Sequence, residues 1–189
     1  MSSNIALTGL AKDLAARAAT GRPVRIGLIG SGEMGTDIVT RAAMMDGVDV
    51  AAISEINVPN AHKAVSISYK EDGHSQDAKS TDDLNAIIES GKTAITDNAD
   101  LILESGLIDV VIDATGIPAV GAEIGLKAME RGKHLTMMNV EADVTIGAYL
   151  RNEAERLGVV YSLGAGDEPS SCMELIEFVT AMGHKVVCA

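Results

Sequence analysis

The chain has 189 residues, of which 47% are hydrophobic and only 2% aromatic, and its formal net charge is −12. This composition excludes a disordered chain and predicts a core of aliphatic residues and methionine. The acidic balance argues against nucleic acid as a partner, because its phosphates would be repelled. No run approaches the roughly 20 apolar residues of a membrane span, so no membrane partner is expected.

The amino terminus and the cysteines indicate a reducing compartment. Lys12, Asp13 and Arg17 interrupt the first 20 residues, which therefore lack the continuous apolar segment of a signal peptide. Cys172 and Cys188 have no CxxC spacing, and we interpret them as reduced thiols. A cytoplasmic location is expected.

Strand and helix patterns alternate along the chain. Residues 1–22 predict an amphipathic helix, and residues 23–163 predict an α/β domain of the Rossmann type with a doubly wound parallel sheet. Strands are predicted at 24–29, 48–54, 109–115, 134–138, 159–163 and 185–189. Helices are predicted at 34–45, 59–66, 82–89, 98–105, 120–131, 146–157 and 172–182, and the polar stretch 69–83 reads as a surface excursion.

Three glycines separate the first strand from the next helix, in the segment IGLIGSGEMG. Gly30 suits a sharp turn, Gly32 leaves room for a pyrophosphate beside the backbone, and Gly35 lets helix and strand pack closely. Because the pattern follows a strand and opens a helix, it favours dinucleotide binding over an unliganded turn. The cofactor contacts predicted from this loop are Gly30, Ser31, Gly32, Glu33, Met34 and Gly35.

Glu55 ends the second strand, 20 residues after Gly35. An acid at this position contacts the adenosine ribose in dinucleotide-binding folds and disfavours the 2′-phosphate of NADP. An ordinary surface acid is the alternative. Lys63 lies a few residues further and would soften the preference for NAD.

The segment DATGIP lies at the carboxyl end of a predicted strand, where ligands bind in open α/β sheets. Small residues there let a nicotinamide and its ribose lie against the backbone. We expect cofactor contacts from Ala114, Thr115 and Gly116. The alternative is an ordinary loop ended by Pro118.

Polar side chains follow the next strand, in MMNVEADVT. Asn139 is a further expected cofactor contact. Glu141 and Asp143 would point to the same side of an extended backbone, where their oxygens suit a divalent metal such as Mg²⁺ or Mn²⁺ and a catalytic role. The alternative is that Asp143 caps the following helix.

A second acidic pair follows the strand after that, in SLGAGDEPSS. Asp167 and Glu168 stand in a small polar loop at the expected carboxyl edge of the sheet. This loop predicts a substrate site with catalytic acids. The alternative is capping of the next helix by serines, with the acids placed favourably near its dipole.

With IGLIGSGEMG, DATGIP, GKHLTMMNVEADVTIG and YSLGAGDEPSS in order, the chain resembles the homoserine-dehydrogenase-like oxidoreductases. It is most similar to their deoxyxylulose phosphate reductoisomerase-like members, across essentially all of its length. The resemblance implies NADPH-dependent reductoisomerisation of 1-deoxy-D-xylulose 5-phosphate to 2-C-methyl-D-erythritol 4-phosphate, a step of isoprenoid synthesis, with a divalent metal on the substrate oxygens.

The same resemblance implies a longer chain. Residues 164–189 are interpreted as the start of a substrate-binding and dimerisation region, so this sequence reads as an amino-terminal portion. The implied partners are a small phosphorylated sugar and further copies of the chain in a homo-oligomer.

Two residues depart from the resemblance. Val140 follows Asn139 where homoserine dehydrogenases carry a lysine, which argues against homoserine oxidation, and Glu55 fits NADPH poorly, so NADH stays open. A dehydrogenase of another hydroxy or sugar acid and a non-catalytic dinucleotide sensor also stay open. A sensor needs no acid cluster at strand ends, so catalysis is favoured by Asn139, Glu141, Asp167 and Glu168.

Overall fold

The computed structural model describes residues 7–70, 73–164 and 168–188, without the side chains of 168–170. The strands found there are β1 (Val24–Ile29), β2 (Val48–Ser54), β3 (Ser75–Asp77), β4 (Thr93–Thr96), β5 (Val110–Asp113), β6 (His134–Met137) and β7 (Tyr161–Leu163). The helices are α1 (Gly9–Ala19), α2 (Glu33–Ala42), α3 (Val58–Tyr69), α4 (Thr81–Glu89), α5 (Ala99–Glu104), α6 (Pro118–Glu130), α7 (Val140–Leu157) and α8 (Glu168–Ala181).

All strand pairs are parallel, in the order β3-β4-β2-β1-β5-β6-β7. This is the predicted Rossmann-type fold. The strand order reverses direction at β1, which pairs with β2 on one side and β5 on the other. At the carboxyl ends, Ile29 lies beside both Ser54 and Asp113. The crevice outside a switch point of this kind is where open α/β sheets bind ligands.

Two hydrophobic clusters cover the two faces of the sheet. Side chains alternate between faces along a strand, so Leu28 enters one cluster and Ile29 the other. The first cluster receives Val39 of α2 and Val65 of α3. The second contains residues from α4, α5, α6 and α7, among them Leu103. The core is aliphatic with buried methionine, as the composition predicts.

The boundaries of the first two strands agree with the sequence to the residue, whereas other parts of the structure differ from the predictions. β3 and β4 were not predicted: β3 is a polar strand of three residues at the sheet edge, and β4 is a buried strand of only four. Residues 185–188 form no strand: all four are exposed, and they pair with no strand in the part of the chain that the structure describes. Helix α7 begins at Val140, six residues before the predicted start at 146.

The helices near the two ends of the chain are less buried than the central sheet. Helix α1 begins at Gly9, within the predicted 1–22 segment, and contains no buried residue. In α8, Leu175 and Phe178 are exposed. The proposed domain boundaries at 22/23 and 163/164 stay predictions. Within the described residues, no helix is long and apolar enough to span a membrane.

Candidate functional site

Four loops meet at the carboxyl edge of the sheet around the switch point. The glycine loop follows β1, Glu55 follows β2, residues 114–117 follow β5, and Asn139 follows β6. Since β2, β1, β5 and β6 are consecutive neighbours in the sheet, their carboxyl ends open on one side. The predicted cofactor residues therefore lie at or next to one edge of the sheet, although they come from four separate parts of the sequence.

Gly30 joins the glycine loop to the loop after β5. Its φ is +92°, a conformation that favours glycine, and its N–H donates to the Ser54 carbonyl at 2.8 Å. A Cβ at Gly30 would lie 2.9 Å from the carbonyl oxygen of Ala114. The two loops are therefore in direct backbone contact. A side chain at position 30 would prevent this contact.

Gly35 and Gly32 have different surroundings. A Cβ at Gly35 would collide with the carbonyl oxygen of Gly30, so the first turn of α2 packs tightly on the loop. Gly32 is the N-cap of α2, and a Cβ there would meet no atom within 4 Å. No side chain of the described residues caps this helix start. The combination leaves open space in front of free backbone N–H groups, which suits an anionic phosphate.

The other residues of this loop divide between the interior and solvent. Ser31 is buried, whereas Glu33 and Met34, in the first turn of α2, are exposed. A cleft of about 370 Å³ adjoins the loop between α2 and α3, and Ser31, Gly32, Glu33 and Lys63 contribute to its lining. It brings the cationic Lys63 beside the glycine loop.

Glu55 ties the end of β2 to the glycine loop. Its Oε2 accepts hydrogen bonds from the backbone N–H of Ser31 at 2.7 Å and from the Ser31 hydroxyl at 3.0 Å, and its Oε1 accepts from the N–H of Asn57 at 3.0 Å. Burial raises the pKa of the Glu55 carboxyl, but the hydrogen bonds from Asn57 and Ser31 outweigh burial and leave the pKa below its ordinary value. The carboxylate is charged at neutral pH, and its ribose contact stays a prediction.

A buried carboxylate lies beneath the loop after β5. Asp113 is fully buried at the end of β5; its Oδ1 accepts from the N–H of Thr115 at 3.1 Å and its Oδ2 from Nδ2 of Asn139 at 3.0 Å. Sequence reasoning placed no function on Asp113. An acid ending an otherwise apolar buried strand, VVID, is the signal that could have identified it.

The loop itself carries the three predicted contacts. Ala114 and Thr115 are half-buried, and Gly116 is exposed with φ +66°. The Ala114 N–H donates to the carbonyl of Ile29, which extends the pairing of β1 and β5 by one bond. These small residues leave backbone accessible at the edge of the crevice.

Glu141 and Asp143 do not form the predicted pair. They lie in the first turn of α7, where residues two apart differ by about 200° around the axis, so the extended backbone expected here is absent. Glu141 is exposed, whereas Asp143 accepts a hydrogen bond from the Tyr161 hydroxyl at 2.5 Å. Burial and this carboxylate raise the pKa of Tyr161. The capping alternative for Asp143 is also wrong, because Asn139 is the N-cap of α7.

The described residues give no support to the predicted metal site. In the part of the chain that the structure describes, no group of three His, Cys, Asp or Glu side chains is placed to hold an ion. Asp167 lies outside the described residues, and so does the side chain of Glu168, whose backbone begins α8. The roles predicted for these two acids stay predictions.

Comparison with known proteins finds a family model and a partial match to a curated enzyme. A family model described as the NAD-binding domain of homoserine dehydrogenase matches residues 30–164. Glyceraldehyde-3-phosphate dehydrogenase 1 of Candida glabrata is 33% identical over 98 residues, which are 50% of this chain and 30% of that enzyme.

Solved structures share the fold at low sequence identity. A homoserine dehydrogenase from Thiobacillus denitrificans superposes with a TM-score of 0.54 and 19% identity, over 84% of this chain and 34% of that one. The WlbA dehydrogenase from Bordetella pertussis, solved with NADH and UDP-GlcNAcA, gives a TM-score of 0.58 and 16% identity, over 86% and 43%. The chain thus spans less than half the length of each of these relatives.

Proposed function

Because the chain belongs to the family of homoserine dehydrogenase NAD-binding domains, we propose that it binds NADH or NADPH at the switch-point crevice and supplies the cofactor-binding part of an oxidoreductase. The observation that carries the proposal is the glycine loop. Gly30 and Gly35 have no room for a side chain, yet Gly32, between them, faces open space at the start of α2. That open space lies at the start of a helix, where backbone N–H groups favour an anionic phosphate.

The crevice suggests an orientation for the cofactor. The pyrophosphate would lie at the start of α2, where backbone N–H groups and the helix dipole favour negative charge. The adenosine ribose would extend towards Glu55 at the end of β2. The nicotinamide would lie on the other side of the switch point, against Ala114, Thr115 and Gly116.

The choice between NADH and NADPH depends on two opposite charges. Glu55 is ionised and would repel a 2′-phosphate, whereas Lys63 lines the cleft beside the glycine loop and would attract one. The resemblance favours NADPH. We expect Glu55→Ser to raise the affinity for NADPH relative to NADH, measured by fluorescence titration. An unchanged ratio of the two dissociation constants would remove Glu55 from the ribose.

Within this class we propose the reductoisomerisation of 1-deoxy-D-xylulose 5-phosphate, a phosphorylated sugar. Its support is the order of the four motifs, together with an exposed carboxylate, Glu141, just beyond β6. Bound NADPH would supply the hydride, and the chain's own residues would bind and orient the cofactor. The divalent metal does not fit the described residues, because Glu141 and Asp143 diverge on α7, and no step is assigned to it.

The test of the reaction is an assay of the full-length protein with deoxyxylulose phosphate and NADPH, following NADPH absorbance. Glu141→Gln should lower turnover by orders of magnitude while NADPH still binds. Near-normal turnover in this variant would leave Asp167 and Glu168 as the remaining candidates. Cofactor binding without turnover on any hydroxy or sugar acid would favour the sensor.

We also propose that the full-length protein forms a homo-oligomer. The exposed apolar side chains of α8, Leu175 and Phe178 among them, are typical of a surface that another part of a protein covers. Light scattering of the full-length protein measures the oligomeric state directly. A monomer at micromolar concentration would contradict this part alone.

A further inference from the structure

Asp113 and Asn139 form a buried pair that spans two strand ends, and neither side chain has any exposed surface. We infer that they are positioning residues, which hold residues 114–117 in the conformation that receives the nicotinamide end of the cofactor. The inference rests on the dinucleotide-binding function proposed above. It assigns a role to Asp113, and it gives Asn139 an indirect role in place of the direct cofactor contact predicted from the sequence.

The Asp113 carboxylate is a costly group to bury in the sheet. Desolvation of a carboxylate is unfavourable unless hydrogen bonds compensate, and a well-packed apolar pair is often at least as stable. Stability by itself is therefore a weak reason for an acid at this place. Its partners indicate the reason, because one is the N–H of Thr115 and the other is Asn139.

The Asn139 side chain uses both ends of its amide. Its Oδ1 accepts from the N–H of Ala142 at 3.2 Å and so caps α7. Its Nδ2 donates to Asp113 Oδ2 and to the carbonyl of Ile117, each at 3.0 Å, and lies 3.3 Å from the Thr115 hydroxyl. Ser, Thr or Asp would cap the helix equally well. Only an amide combines the capping acceptor with two donors, one for Asp113 and one for the Ile117 carbonyl of the loop.

The loop is consequently held at several points by buried groups. Asp113 fixes the N–H of Thr115, and Asn139 fixes the carbonyl of Ile117. The preceding residue, Ala114, is in contact with Gly30 of the glycine loop. The pair therefore sets the position of the nicotinamide-side loop relative to the phosphate-side loop, and a change in the pair should affect one end of the cofactor more than the other.

The experiment compares two probes, NADH and ADP, by calorimetric titration of the full-length protein. ADP carries the adenosine and the pyrophosphate but lacks the part of the cofactor that reaches residues 114–117. Asp113→Asn keeps the shape of the side chain but turns a donor towards Thr115 N–H or Asn139 Nδ2. Asn139→Ser keeps a capping oxygen for α7 and removes the amide donors, so it decides the question if Asp113→Asn does not fold.

The control variant is Ser105→Ala. Ser105 precedes β5 and lies at the amino ends of the strands, away from the loop after β5. Ser105 is also fully buried, and its hydroxyl donates to Asn85 Oδ1 at 2.6 Å, so its loss lowers stability without touching the loop. We expect either test variant to weaken NADH binding roughly five- to tenfold, the effect of one unsatisfied buried group, with ADP affinity unchanged. The control should leave both affinities unchanged.

Three results would overturn the inference. NADH affinity that stays unchanged in the variants would show that the pair does not position the loop. Equal losses for NADH and ADP would show a general structural role. If the unmodified protein binds neither probe, the proposed function itself is wrong and the inference falls with it.

Discussion

One buried polar network lies at the amino ends of the strands, here called the amino edge, and another lies at their carboxyl ends, the carboxyl edge. The two networks hold different parts of the backbone. At the amino edge, Nζ of Lys133 donates to the carbonyls of Ser105 at 2.5 Å and Ile108 at 3.1 Å. At the carboxyl edge, Asn139 and Asp113 hold the loop after β5. Lys133 directly precedes β6 and Asp113 ends β5, and both side chains are buried, so burial by itself does not distinguish structure from function.

The difference lies in what surrounds each network. Lys133 satisfies carbonyls where α5 ends and β5 is about to begin, in a region where both acceptor residues are buried. Burial lowers the pKa of Lys133, and the nearby Asp109 only partly opposes this. The carboxyl-edge network instead ends on half-buried and exposed loop residues at the switch point. The first network should therefore affect stability, and the second should affect ligand binding.

The largest expected effect is at the carboxyl edge, in Gly32→Val. The valine side chain would occupy the open space in front of α2, so we expect at least a roughly hundredfold loss of NADH affinity, about 2.7 kcal/mol, because the pyrophosphate is displaced. Fluorescence titration measures it. Gly106→Val is the matched control at the amino edge, since a Cβ at Gly106 also meets nothing within 4 Å. Equal NADH affinity in the two variants would contradict the assignment of the glycine loop.

The next effect is at the amino edge, in Lys133→Met. Methionine keeps much of the apolar length but leaves the carbonyls of Ser105 and Ile108 without their donor. We expect the free energy of unfolding to fall by about 2 kcal/mol in urea denaturation, with NADH affinity unchanged. If NADH binding weakens while stability stays unchanged, the Lys133 network serves ligand binding and its assignment to stability is wrong.

A smaller effect should follow from Gly121→Ala in α6. A Cβ there would lie 2.5 Å from Asp113 Oδ2 and 2.8 Å from Asn139 Nδ2, so it would push the pair apart. We expect the unfolding free energy to fall by about 1–2 kcal/mol and NADH binding to weaken several-fold.

One turn further along α6, Gly125 provides the control for that substitution. A Cβ at Gly125 would press on the Leu135 side chain at 2.9 Å, which is apolar and adjustable. Gly125→Ala should therefore lower stability to a similar or smaller extent and leave NADH affinity unchanged. Equal binding losses in the two alanine variants would mean that overpacking in α6, and not the Asp113–Asn139 pair, is responsible.

The smallest effect is expected for Glu55→Gln and depends on pH. Because the pKa of Glu55 is lowered from its ordinary value of 4.5, its stabilisation is present above pH 4.5 and is lost as the pH falls through the folded-state pKa. At neutral pH the variant should unfold with a free energy lower by less than about 1 kcal/mol, since the carboxylate is partly screened by solvent. Urea denaturation should show this gap closing in acid. A gap that widens in acid would contradict the hydrogen-bonding role.

The glycine loop was predictable from the sequence because its information is local. Pro23 and Gly30 bound a short, mostly apolar run that alternates little, which predicts a buried strand, and the glycines follow directly. The acids were less predictable. Glu141 and Asp143 were paired on the assumption of an extended backbone, but Asn139 starts α7 at once and the helix turns the two carboxylates apart. Here the helix starts soon after the strand, where Asn139 caps it. The spacing of the two acids in the sequence does not reveal that cap.

The sequence by itself determined the fold class, the first two strands and the position of the phosphate-binding loop, because strand periodicity and glycine spacing are properties of neighbouring residues. Only the tertiary structure decided that Asp113 and Asn139, 26 residues apart, share a hydrogen bond and that Gly30 touches Ala114. It also revealed β4, whose four buried residues are too few for a periodic pattern. Such features depend on which strands become neighbours, and that is set by packing of the whole sheet.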